Sequence, residues 1–395
     1  MLRIICCLSV VLTLLLSSCA KEPEEKLEIQ SDICAQSSSG LEMAETDAGY
    51  YCKADSMLYY ADRSNLTNWV LVCNEPNCSG DLVVCPARFD GEYRLRGDQI
   101  ETIRNPQLFQ NNSSHGSPQL FPNDGSDLSA LYTMMADGTG LQQVYTLDGS
   151  SMGDGGASGT WLLQDRILAF YSQVQPDGTF SNSFLQMDDA GTHTLYASQS
   201  EEMETPFIAR AQDWCAMRGD LAMYISLLCE DDTLSHLYRL TEAGLEELPH
   251  ICDYDLRGAY LAGNTLLHFV PNDGYYETDL DSSHGEKRMD AQLKDSIAFH
   301  FTEQYIVETN RLIDQTHVPA EARLYDGSSW RTISLPEEVA AENVNLFPVS
   351  LASDRIFFTT YPDDSQTSLY HVLLNDSQPT LTLCWELPRG SGPEG

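Results

Sequence analysis

Basic side chains are scarce in this chain. Lysine and arginine number 22 against 59 aspartates and glutamates, a formal net charge of −37 at neutral pH. A field of that sign repels phosphate backbones and anionic lipid headgroups, which argues against nucleic acid as a partner. Long apolar runs are scarce too. The one that opens the chain, Ile4 to Leu16, is shorter than the roughly 20 residues a helix needs to cross a bilayer. The body lacks extended helical periodicity, which argues against an α/β fold. It also lacks H-E-x-x-H, a Walker loop and C-x-x-C. The nine histidines, among them His236, His268 and His300, show no metal-ligand spacing and read as satisfied structural residues. No cofactor and no metal are expected.

What the first residues do contain is an address. Arg3, the apolar run and the small residues behind it form an export signal over residues 1–18. Leu16-Ser17-Ser18-Cys19 resembles the lipobox of bacterial lipoproteins. That resemblance implies a mature chain beginning at Cys19, carrying a diacylglyceryl group there and anchored by lipid outside the cytoplasmic membrane. The alternative is cleavage near Ala20 and free secretion. Losing Arg3 leaves 21 bases against 59 acids, a net of −38, so the acyl chains rather than charge must hold the protein on the membrane. Residues 19–44 are polar, without apolar periodicity, and read as a lipidated, flexible tether.

The rest of the chain repeats itself. Six Leu-Tyr dipeptides, at Leu58, Leu131, Leu195, Leu237, Leu324 and Leu369, each sit in an alternating run that leads through a Gly-, Asp- or Asn-rich turn into a second run. That is a hairpin signature. Ahead of nearly every copy lies another polar turn and apolar run: "GDQIETI", "QDRILAF", "RGDLAMYI", "GNTLLHF", "TEQYIVE" and "SDRIFFT". "GYYETDL" at Gly274 fills the vacant slot, and "GYYCKA" at Gly49 serves the first unit. The spacing predicts an all-β fold of seven four-stranded units starting near residues 45, 92, 158, 206, 256, 296 and 345, with six or eight as the neighbouring counts. Four-stranded units at this period are the mark of a β-propeller, spanning residues 45–390 as one domain. Each sheet has two apolar faces, and a neighbour on either side buries both.

"LYTMMADGTGLQQVYTL" resembles the strand-turn-strand of TolB-like propellers, with Ala136-Asp137-Gly138-Thr139-Gly140 at the turn. The opening unit is similar to that of a group of uncharacterised clostridial-type lipoproteins. The match is carried by Cys73, Asn74, Pro76, Cys78, Cys85 and Phe89, a Cys-Asn-x-Pro-x-Cys motif followed by a third cysteine. Gly80 stands where members of that group often have a histidine.

Nine cysteines remain once Cys6, Cys7 and Cys19 are set aside, and an odd number cannot all pair. In a meander Cys52 and Cys73 lie two strands apart, roughly 9.6 Å, beyond the reach of a disulfide. Cys73, Cys78 and Cys85 therefore form the cluster to weigh, as a disulfide, as reduced thiols or as a zinc site with Cys34 as fourth ligand. Each version staples the first unit. The other cysteines, such as Cys215 and Cys229, read as small buried hydrophobes.

Other chemistry is thin. Gly149-Ser150-Ser151-Met152-Gly153 fits G-x-S-x-G, but no helix follows Ser151 to make a nucleophile elbow. Glu230-Asp231-Asp232 and Asp363-Asp364 fall at hairpin tips. Asn123-Asp124-Gly125-Ser126-Asp127 is too short for an EF-hand loop. Trp69, Trp161, Trp214, Trp330 and Trp385 fall in strand patterns and read as core between units. An insertion from Asn105 to Asp127 is either a recognition loop or an extra strand pair. No catalytic residue is expected. The function this suggests is a non-catalytic binding or scaffold protein of the cell envelope with a protein or glycan ligand. A carbohydrate-active enzyme with paired carboxylates at the propeller mouth is the rival, and metal sensing through the cysteine loop a third reading.

Overall fold

The computed structural model describes residues 42–387 apart from 55–56, 75–84, 90–92, 105–129, 147–156, 163–166, 189–190, 201–203, 208–222, 230–234, 242–243, 248–258, 263, 283, 311–319, 341–343 and 363–367. Nearly all regular structure in these residues is β, in seven four-stranded antiparallel sheets, each a meander of consecutive strands. Among the described residues no helix is long and apolar enough to cross a membrane.

Sheet 1 comprises β1 (Glu42–Glu45), β2 (Gly49–Ala54), β3 (Met57–Asp62) and β4 (Val70–Leu71). Sheet 2 comprises β5 (Tyr93–Arg96), β6 (Gln99–Arg104), β7 (Ala130–Met135) and β8 (Gln142–Thr146). Sheet 3 has the longest strands: β9 (Ala157–Leu162), β10 (Ile167–Val174), β11 (Phe180–Asp188) and β12 (Gly191–Ser200). Sheet 4 follows with β13 (Glu204–Phe207), β14 (Met223–Cys229), β15 (Ser235–Thr241) and β16 (Gly244–Glu247). Sheet 5 holds β17 (Tyr260–Ala262), β18 (Thr265–Val270), β19 (Gly274–Asp279) and β20 (His284–Asp290). In sheet 6 the strands are β21 (Ser296–His300), β22 (Ile306–Asn310), β23 (Ala322–Tyr325) and β24 (Trp330–Thr332), followed by a single helical turn, α1 (Glu337–Ala340). Sheet 7 is β25 (Val344–Leu351), β26 (Arg355–Pro362), β27 (Ser368–Leu373) and β28 (Thr382–Glu386).

The sequence phrases map onto this frame with one shift. All six "GDQIETI"-type runs are second strands, and five of the six Leu-Tyr dipeptides lie on third strands, as does Tyr275-Tyr276. Leu195-Tyr196 lies instead on β12, a fourth strand, because Phe184-Leu185 of β11 takes the third-strand position in sheet 3. At two of its copies the phrase coincides with an irregularity in the sheet. The pairing of third with fourth strand slips by one residue at Leu131/Tyr132, Phe184/Leu185, Tyr275/Tyr276 and Leu369/Tyr370. A bulge there raises the local twist of the outer strand.

The third-to-fourth turns of sheets 2 and 6 are built alike. Asp137 and Asp326 sit at third-to-fourth turns, each carboxylate accepting from the backbone N–H two residues on, at 2.9 and 3.0 Å, and from that residue's hydroxyl at 2.7 Å. Gly138, next to Asp137, has φ 85°, a conformation that favours glycine. In sheets 1, 2, 5 and 7 the third-to-fourth turn is tied back to the first-to-second turn by a backbone bond: Arg63 N–H to Ala48, Ala136 to Asp98, Leu280 to Asn264 and Leu374 to Asp354, at 2.8 to 3.0 Å.

The core lies between sheets. Phe299, Val307 and Leu324 of sheet 6 pack on Leu346, Ile356 and Phe358 of sheet 7. Phe269 and Tyr275 of sheet 5 meet Ala298 and Ile306 of sheet 6. Tyr51 and Leu58 of sheet 1 meet Tyr93, Ile100 and Met134 of sheet 2, and β13 of sheet 4 lies against β9 and β10 of sheet 3. The first sheet also packs on the last: Met43, Tyr50 and Cys52 share a cluster with Val349, Phe357, Leu369 and Cys384.

Candidate functional site

Among the described residues two places stand out for functional-group chemistry: the ends of the loop after β4 and the join between the first and last sheets. At the first, the chain leaves β4 with Val72 N–H bonded to Leu58 O at 2.9 Å, and returns so that Leu58 N–H bonds to Ala87 O at 2.8 Å. Residue Arg88 bridges Met57. The return brings Cys85, 1% exposed, into an apolar cluster with Met57 and Ala87, and Cys73 packs against the same cluster. Phe89 continues into the core shared by sheets 1 and 2, its ring 5.9 Å from that of Tyr93. Cys78, the third member of the motif, lies outside the described residues, as do Cys19, Cys34, Cys215 and Cys252. Cys229 ends β14.

The second place is a polar network over the cluster that joins sheets 1 and 7. Asp354, just ahead of β26, accepts from the Tyr50 hydroxyl at 3.0 Å, from Arg355 at 2.7 and 2.9 Å and from Arg63 at 3.5 Å. Arg63 also pairs with Glu45, whose carboxylate accepts from Ser353 N–H and Oγ at 2.8 and 2.6 Å. The guanidinium carbons of Arg63 and Arg355 stand 5.0 and 5.4 Å from the centre of the Tyr50 ring. Arg355 and the Tyr50 hydroxyl hold the Asp354 carboxyl down to about 2, and burial pushes the Tyr50 hydroxyl up to about 12. Beneath lie Tyr50 edge-on to Phe357 at 5.0 Å and Trp69 stacked on Trp385 at 5.3 Å.

Several described ionisable groups in other sheets also have partners. Glu308 of β22, fully buried, accepts from the Tyr275 hydroxyl at 2.6 Å, Ser296 Oγ at 2.7 Å and the N–H groups of Gln292 and Leu293. It thereby fastens the connection between sheets 5 and 6. Glu101 of β6 pairs with Arg94 and Arg96. His268 Nε2 lies 3.0 Å from Thr278 Oγ1, and burial lowers its pKa to about 4. His300 is buried on β21, 5.5 Å from the Tyr275 ring, and His236 lies on β15. Carboxylates and arginines with these partners hold sheets together.

The remaining sequence candidates divide cleanly. Ser151 with its glycines, Glu230-Asp231-Asp232, Asp363-Asp364, the 105–127 insertion and Trp214 lie outside the described residues. Trp69 and Trp385 stack within the join, Trp330 meets Tyr275 and Tyr325, and Trp161 lies on β9. Sequence reasoning missed Glu308, Glu45 and the Tyr50–Arg63–Asp354–Arg355 set. The signal was a charge set inside or beside an apolar run, as in "IVET" and "SDRIFFT".

No protein-family model matches the chain, and no curated protein matches it in sequence. Solved structures do match. The chain is similar to prolyl oligopeptidase B from Galerina marginata in its apo form, with a TM-score of 0.52 and 10% identity over 89% of this chain and 52% of that one. A post-proline cleaving enzyme from Rickettsia typhi gives a TM-score of 0.52 and 10% identity over 87% and 52%. The likeness is to proteins that contain a β-propeller. At such identity it concerns fold alone, and this chain spans about half the length of either neighbour.

Proposed function

We propose that the chain is a lipid-anchored, extracytoplasmic β-propeller whose seven sheets close into a ring, serving as a non-catalytic binding or scaffold protein of the bacterial envelope. Ring closure is supported by the core that sheet 1 shares with sheet 7. The observation that carries the non-catalytic reading is the use of Glu101, Glu308 and Asp354: each is engaged by arginine, tyrosine or backbone partners within or between sheets. A carboxylate so engaged is a poor general acid or nucleophile. The anchor rests on Leu16-Ser17-Ser18-Cys19, and the ligand class, protein or glycan, on the net charge that disfavours nucleic acid.

Fractionation tests the anchor. Wild-type protein is expected on membranes and Cys19→Ala in the soluble secreted fraction; an unchanged distribution contradicts it. A screen of polysaccharides tests the non-catalytic reading, and turnover abolished by substituting one carboxylate would establish the enzyme instead.

A further inference from the structure

We propose that the join between the first and last sheets is a latch that opens ahead of the rest of the fold, with the Glu45–Arg63–Asp354 chain of charges, over its apolar cluster, as the salt-sensitive part of its closure. The inference concerns the contact itself and does not depend on the ligand or the anchor.

Tyr50 and Asp354 are 304 residues apart, so no short connection limits the separation of these two sheets. Sheets 5 and 6, by contrast, are joined through residues 291–295, and Glu308 bonds to the backbone of that connection. The two polar ties differ in exposure as well. Glu308 is wholly buried, whereas the side chains of Arg63, Glu45 and Asp354 are 30, 25 and 37% exposed. Ion pairs that meet water contribute weakly, and salt screens them. Arg63 lies between two carboxylates. Its loss leaves Glu45 without that counter-charge and Asp354 with Arg355 alone, so charge balance turns against the closed state.

The join carries its own reporter. Cys384 of β28 is 3% exposed within the cluster beneath the latch, a free thiol whose pKa burial pushes up to about 12. While the latch is shut this thiol is inert. Opening gives it water and a reagent.

The test is alkylation of the full chain by N-ethylmaleimide, followed at the Cys384 peptide by mass spectrometry, with amide exchange in β22 reporting global opening. Arg63→Met is expected to raise the Cys384 rate about five- to tenfold with β22 exchange unchanged. Raising salt from roughly 0.05 to 0.5 M is expected to speed wild type far more than the variant. If Arg63→Met fails to fold, Glu45→Gln and the wild-type salt series decide the matter. A Cys384 rate indifferent to salt and substitution, or rising only in step with β22 exchange, overturns the proposal.

Discussion

At the scale of single residues, a charge placed in this interior needs partners around it. Glu308 shows the requirement: a buried carboxylate costs several kcal/mol unless donors replace its hydration, and Tyr275, Ser296 and two N–H groups do so. His268 meets the same constraint by staying neutral. Its pKa falls from 6.5 to about 4 on folding because burial disfavours the imidazolium. The unfolded chain therefore binds this proton at higher pH than the folded one. Its contribution is intact above pH 6.5 and is lost as pH falls toward 4. Between pH 7 and pH 5 the loss is about 2 kcal/mol. Urea unfolding at both pH values checks this: His268→Gln should lose correspondingly less stability on acidification, and identical pH dependence in the two proteins would contradict it. None of this was visible in the sequence, which placed His268 among structural histidines without showing what surrounds it.

At the scale of elements, the sequence was far more legible. Strand alternation and turn chemistry are local, so the starts predicted near residues 45, 92, 158, 206, 256, 296 and 345 fall close to first strands that open at Glu42, Tyr93, Ala157, Glu204, Tyr260, Ser296 and Val344. The Leu-Tyr phrase is local too, and at Leu131 and Leu369 it coincides with the slip between third and fourth strands. Leu195-Tyr196 misled because the residue after Thr194 is the extra one on the fourth strand there, so the dipeptide occurs on the other side of the same bulge. Cross-sheet ties were illegible for the opposite reason: Tyr275 and Glu308 are 33 residues apart, and Arg63 and Asp354 are 291. The turns make a comparative prediction. Gly138 and Gly178 have nearly the same φ, 85 and 86°, but a Cβ at Gly138 would lie 3.0 Å from Val72 O, and one at Gly178 meets nothing within 4 Å. Gly178→Ala should cost about 1 kcal/mol, the conformational penalty alone, and Gly138→Ala roughly 2 kcal/mol. Thermal unfolding of the two variants side by side measures the difference, and equal costs would refute the close approach to Val72.

At the scale of the whole molecule, the issue is why seven similar sheets stay together. Among the described residues apolar faces are buried against neighbouring sheets, as Phe358 of sheet 7 is against sheet 6 and Phe357 against sheet 1. An open stack would leave the outer faces of the first and last sheets wet. Tyr50, Phe357 and Leu369, each about 1% exposed or less, would then meet water at roughly 1.5–3 kcal/mol apiece. That penalty is what a closed ring removes. The most direct test is a distance: spin labels introduced through an unnatural amino acid at Ser64 and Gln378, exposed turn residues of sheets 1 and 7, with the separation read by pulsed electron spin resonance. Neighbouring sheets pack about 10 Å apart, so with label arms the ring predicts roughly 15–30 Å. An open row of seven sheets would put the labels roughly 60 Å apart, and that result would contradict the account.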